Sequence, residues 1–184
     1  MKKVLAFTGS NHSLSINRQV LQFAISLINP SKFEVTEIDL RDFEPIMLSL
    51  DVEREQGIPQ QTTDLLELMS QFDGFIVACP EHNGSVPAFL KNIIDWMSRK
   101  ERKFFNDKPL LLLSTSNGPN GAKTNLAALA DSYPRFGAKV TGIYSLPSFS
   151  ENFKDNQICN DSELNLLKAQ IDVFQEMMVN STSK

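Results

Sequence analysis

The chain has 184 residues, 41% hydrophobic and 22% charged, with a net charge of −4. This is the make-up of one globular domain, residues 1–184, with a substantial core. The negative balance excludes bulk attraction to nucleic acid, and the short apolar runs, of which residues 110–113 are typical, exclude a membrane-spanning helix. The opening Met1-Lys2-Lys3-Val4 leads into a strand pattern and lacks the apolar core of a signal peptide, so a cytoplasmic protein is expected.

Residues 4–8 form an apolar run ending at Gly9, the pattern of a central strand buried on both faces of a parallel sheet. A polar loop, residues 9–17, leads into a helix that turns Val20, Leu21, Ala24, Ile25 and Ile28 inward and closes at Asn29-Pro30. Residues 33–40 alternate apolar and polar, which predicts a second, more exposed strand near a sheet edge. Residues 41–61, with Pro45, Gly57 and Pro59, read as a long irregular connection. Thr62 or Thr63 is expected to cap a helix that runs to about Phe72 and buries Leu65, Leu66, Leu68 and Met69.

The third strand, residues 74–79, is followed by Pro80-Glu81-His82-Asn83-Gly84-Ser85-Val86-Pro87 and then by a helix to about Arg99. Asn83-Gly84 is a strong turn signal because both residues tolerate positive φ, and Pro87 suits a first helical turn. That helix shows Leu90, Ile93, Ile94 and Met97 on one face, with Phe89 and Trp96 beyond it. So broad an apolar surface predicts two partners, the sheet and a second subunit. Asp95 and Arg99 stand four apart and are expected to pair. A fourth buried strand, residues 110–114, runs into Ser114-Thr115-Ser116-Asn117-Gly118, and a helix follows over residues 122–133. Residues 138–146 make a fifth strand, and residues 148–160 a partly ordered loop. A last helix, to about residue 179, carries the stripe Leu164, Leu167, Ile171, Phe174 and Met178, and residues 181–184 are expected to fray.

This strict βα alternation implies an α/β fold with a parallel sheet between two layers of helices. Five strands suit the flavodoxin-like three-layer sandwich with strand order 2-1-3-4-5. Its ligand crevice would lie at the carboxyl ends of strands one, three and four, between the loops at 9–17, 80–87 and 114–121.

The first of these loops suits an anion, because unpaired N–H groups and the positive end of a helix dipole converge there. Ser10, Ser13, Ser15 and Asn17 add short donors. No Walker lysine and no G-x-G-x-x-G is present, so a terminal monophosphate fits better than a nucleotide triphosphate or a dinucleotide. Cys79 reads as a small buried hydrophobe. Cys79-x-x-His82 lacks the further ligands that zinc needs, and no metal is expected.

Taken together, the loops resemble those of the NADPH-dependent FMN reductase family, which has the flavodoxin-like fold and includes quinone, azo-dye and chromate reductases. The family's G-S-x-R-x-x-S-x-N is matched by Gly9-Ser10-Asn11-His12-Ser13-Leu14-Ser15-Ile16-Asn17. Its P-E-Y-N-G-S-x-P-x-x-L-K-N-x-x-D-W is matched by residues 80–87, then Leu90-Lys91-Asn92 and Asp95-Trp96. A small-residue S-x-S-x-G turn corresponds to residues 114–118. The resemblance implies bound FMN, with NADPH or NADH as hydride donor and a small electron acceptor such as a quinone, azo compound, metal oxyanion or free flavin. It places Ser10, His12, Ser15, Ile16 and Asn17 at the phosphate and Pro80, Glu81, His82, Asn83 and Gly84 along the isoalloxazine. Ser114, Asn117 and Gly118 would lie on the other side of the ring. No catalytic side chain is implied, since the flavin carries the chemistry.

His12 stands where the family has arginine, and His82 where it has tyrosine. The resemblance also implies a homodimer or a dimer of dimers. Lys91, Arg99 and Lys123 are candidates for the second phosphate of NADPH. A flavodoxin-like electron carrier and a flavin-free binding module on the same fold are the alternative readings.

Overall fold

The computed structural model describes residues 1–181. Five parallel strands, β1 (Lys2–Thr8), β2 (Phe33–Ile38), β3 (Gly74–Ala78), β4 (Lys108–Thr115) and β5 (Ala138–Leu146), form one sheet in the order β2-β1-β3-β4-β5. The expected topology is therefore present, with β2 at an edge.

Alternation along the three inner strands divides the core. Val4, Ala6, Ile76, Ala78, Leu111 and Leu113 pack under α1 (Ile16–Ser26) and α7 (Asp161–Asn180). On the other face, Leu5, Phe7, Phe75, Val77, Leu110 and Leu112 meet α3 (Gln60–Ser70), α4 (Ala88–Lys100) and α5 (Lys123–Ser132). Each fully buried Leu, Ile or Phe contributes about 1.5–3 kcal/mol of transfer free energy. Both faces of these strands are therefore apolar without interruption.

Three local expectations are corrected. The segment after β2 is not wholly irregular: it forms a 3₁₀ turn (Leu40–Phe43) and a short helix, α2 (Leu50–Gln56), capped where Ser49 Oγ accepts from Val52 N at 3.1 Å. Second, α3 starts at Gln60 behind Pro59, without a side-chain cap; Thr62 is buried there, and its hydroxyl has no partner among the described residues. Third, the loop at 148–160 holds a helical turn, α6 (Phe149–Asn152), and a small hairpin of β6 (Phe153–Lys154) and β7 (Gln157–Ile158). Of the end expected to fray over residues 181–184, Ser181 is tied back to α7, its N–H donating to Met177 O and its Oγ to Met178 O, each at 2.9 Å, and the rest lies outside the described residues.

The second partner of α4 is the chain itself. Trp96 is fully buried, and its Nε1 donates to Ile46 O at 2.7 Å. Asn92 Nδ2 donates to Pro45 O and Ile46 O, and its Oδ1 accepts from Leu48 N at 2.9 Å. Segment 45–48 thus covers the face that the sequence assigned to another subunit. The expected Asp95–Arg99 pair is also absent: Lys91 holds Asp95, and Arg99 forks onto both carboxylate oxygens of Glu53.

Candidate functional site

Three loops meet at the carboxyl edge of the sheet. The first leaves β1 at Gly9, whose N–H donates to Ala78 O at 2.8 Å. A side chain at Gly9 would collide with Leu90 Cδ2 at 2.5 Å, so the loop passes close over α4. Ser10 Oγ accepts from His12 N, and Ser15 Oγ caps α1 by accepting from Arg18 N. Both hydroxyl hydrogens therefore stay available to an incoming acceptor. The N–H groups of Ile16 and Asn17, in the first turn of α1, have no intrahelical acceptor.

The second loop is a tight hairpin. His82 and Ser85 exchange backbone hydrogen bonds at 2.9 and 3.1 Å. Between them Asn83 (φ 52) and Gly84 (φ 74) occupy the left-handed region, as a two-residue type I′ turn requires. The third loop, residues 116–118, is tied to the chain after β5. Gly118 O accepts from Ser148 N, Ser116 O from Phe149 N, and Asn117 Oδ1 from Ser150 Oγ.

A cleft of about 310 Å³ opens between these loops. It is lined by Ser10, His12, Ser15, Ile16 and Asn17 from the first, Pro80, Glu81 and His82 from the second, and Asn117 from the third. The cleft thus brings together most of the residues that the sequence singled out. Asn83 and Gly84 sit at the exposed hairpin tip, and Gly118 also lies outside the lining. Leu14, Thr115 and Ser116 line it too, and sequence reasoning did not select them.

Several of these side chains have other tasks. Ser114 is fully buried and donates to Gly121 O at 2.8 Å, so it supports the third loop from behind rather than facing the cleft. Asn17 is also buried: its Nδ2 donates to Thr115 O at 3.1 Å and its Oδ1 accepts from Thr115 N at 3.0 Å. Its amide joins α1 to the end of β4, leaving only its backbone N–H for an anion.

Glu81, the one carboxylate of the lining among the described residues, accepts from Asn125 N at 2.9 Å in the first turn of α5. Asn125 Nδ2 in turn donates to Pro80 O at 2.7 Å and to Cys79 Sγ at 3.1 Å. No sequence signal marked Asn125, which sits beside Leu126 in a helix that reads as core. Burial pushes the Cys79 thiol up to about 12, against the opposing hydrogen bond from Asn125. It stays protonated at neutral pH and donates to Pro80 O at 3.4 Å, so it is no nucleophile.

The positive charge at this edge is modest. Arg18, one turn into α1, is held by Glu37 at 2.7 Å and Asp39 at 3.2 Å. The imidazoles of His12 and His82 are then the basic groups of the cleft. A larger cleft, about 990 Å³, lies at the opposite edge near Asp73, Asn106 and Lys108. The C-terminal ends of α3 and α7 reach it, and its lining mixes Lys2, Lys108 and Lys139 with Asp73 and Asp107.

Residues 2–150 match the model of the family described as NADPH-dependent FMN reductase. The chain is 32% identical over 139 residues to the NADH:(hydroxy)cinnamate reductase subunit CrdA of Vibrio ruber, a match covering 74% of this chain and 65% of that protein. It is 34% identical over 119 residues to a quinone reductase of Escherichia coli, covering 65% of this chain and 62% of that protein. The matched stretch therefore spans a little under two thirds of these relatives' own lengths. Among solved structures, the flavoenzyme NAD(P)H:(acceptor) oxidoreductase FerB of Paracoccus denitrificans superposes with a TM-score of 0.78 at 22% identity, covering 97% of this chain and 98% of that one. At that identity the likeness speaks for the fold.

Proposed function

Because the chain belongs to the NADPH-dependent FMN reductase family, we propose that it binds FMN in the carboxyl-edge cleft and passes hydride from NAD(P)H to a small acceptor such as a quinone. One observation carries this reading: a capped helix N-terminus suited to a phosphate and a flat hairpin suited to a ring face each other across one cleft.

The donor set fits the group. The N–H groups of Ile16 and Asn17 and the hydroxyls of Ser10 and Ser15 would hold the phosphate, with His12 at its side. Glu81, the one carboxylate of the lining among the described residues, belongs to the second loop and accepts from Asn125 N. Pro80 and His82 would border the ring. FMN supplies hydride acceptance and return when bound, and the chain supplies orientation. Neither Glu81 nor the protonated Cys79 is placed as a general base.

Of the basic residues considered for the second phosphate of NADPH, Lys91 and Arg99 are taken by Asp95 and Glu53. Lys123, at the start of α5, has no ion-pair partner among the described residues and is the better candidate. The reading also places the protein in the cytoplasm as a homodimer. What supports a dimer is the exposed run Ile46, Met47 and Leu50 on the segment over α4. No helix among the described residues is long and apolar enough to cross a membrane.

Titration with FMN and with riboflavin, followed by quenching of flavin fluorescence, tests the site. The reading expects FMN to bind roughly tenfold or more tighter than riboflavin, because the phosphate adds charge-assisted hydrogen bonds. Equal affinities would remove the phosphate from the first loop.

A further inference from the structure

We infer that Asn125 and Glu81 are positioning residues for the ring of the bound flavin, an inference that rests on the FMN reading above and identifies what fixes the ring's seat. Asn125 is completely buried, yet it holds the ring-side loop from two directions. Its side chain donates to Pro80 O at 2.7 Å, and its backbone N–H donates to Glu81 Oε2 at 2.9 Å. Two consecutive residues lining the cleft are thus gripped by one residue in the first turn of α5. The carboxylate of Glu81 is also placed at the positive end of that helix, where negative charge is favoured.

The orientation of the amide is fixed by its surroundings. Nδ2 faces two acceptors, Pro80 O and Cys79 Sγ, and turning the amide over would set Oδ1 against the Pro80 carbonyl. In the observed orientation Oδ1 is buried without a partner among the described residues. An apolar side chain would avoid that orphan acceptor, so the amide is retained for its donors. Those donors act on the loop that borders the ring, while Asn17 performs the matching task on the phosphate side. The clamp should therefore govern contacts to the ring and leave the phosphate subsite alone.

The test measures dissociation constants of FMN and riboflavin, and the midpoint potential of bound FMN, for the wild type, N125A, E81A and E81Q. In N125A and E81A both flavins should weaken by the same factor, roughly fivefold or more, and the potential should shift. E81Q keeps an oxygen for the Asn125 N–H and should recover most of what E81A loses. Should N125A fail to fold, E81A alters only a half-buried loop side chain and carries the test alone. Unchanged constants and potential in N125A and E81A would overturn the inference, as would a loss confined to FMN. Wild-type protein that binds neither flavin would overturn the functional reading and this inference together. Wild-type protein that binds, with indifferent variants, would overturn the inference alone.

Discussion

His12 is the residue at which this chain departs most consequentially from its family. A guanidinium offers a two-pronged fork to phosphate, whereas an imidazole offers single donors. Arg18 cannot substitute, because Glu37 and Asp39 already hold it. The variant H12R should bind FMN about tenfold tighter than wild type, with no effect on riboflavin. Titrations of both proteins with both flavins check this. The same scale shows what local reading misses. The Asn83-Gly84 turn was legible because a turn follows from neighbours in sequence, and His12 because it falls in a family motif. The tasks of Asn17 and Asn125 were not, because their partners lie 98 and 45 residues away. A polar residue on a helix does not announce a tertiary acceptor.

Helix α4 and the segment above it show how one element secures another. Asn92 satisfies Leu48 N, Pro45 O and Ile46 O, and Trp96 adds a bond to Ile46 O. Asn92→Ala would strand these backbone groups and should destabilise the protein by about 2–3 kcal/mol in urea unfolding, and Trp96→Phe, which loses one hydrogen bond and leaves a cavity at a fully buried site, should cost about 2 kcal/mol. In N92A the amide of Leu48 should lose hydrogen-exchange protection before the sheet does. The sequence showed that α4 needed a second partner but named the wrong one. Segment 41–61 was opaque for a physical reason: α2 buries none of its residues, so it leaves no apolar periodicity to detect. The strands were legible for the opposite reason, since burial on both faces writes an unbroken apolar run.

At the scale of the whole molecule, the fold has an acid-sensitive fastening at the edge of the sheet. Asp39, just after β2, is held at about 2 rather than 3.8, chiefly by the hydrogen-bonded Arg41 guanidinium, with Arg18 adding to it and partial burial opposing. A carboxyl group whose folded value is depressed stabilises the fold fully above its unfolded value and loses that contribution as pH falls through the folded one. The stability difference between wild type and D39N should therefore be full above about pH 4 and fade toward pH 2, which urea unfolding across that range measures. The sheet order and the meeting of three loops were legible together, because βα alternation leaves few topologies that place those loops anywhere but one edge.

The central claim concerns what that edge does. The most direct measurement is the anaerobic visible spectrum of the FMN-loaded protein on addition of NADPH, and separately of NADH. The flavin bands should bleach promptly with at least one of the two and return when a quinone is added. Flavin that stays bound but oxidised with both nucleotides would contradict the claim and make the protein an electron carrier.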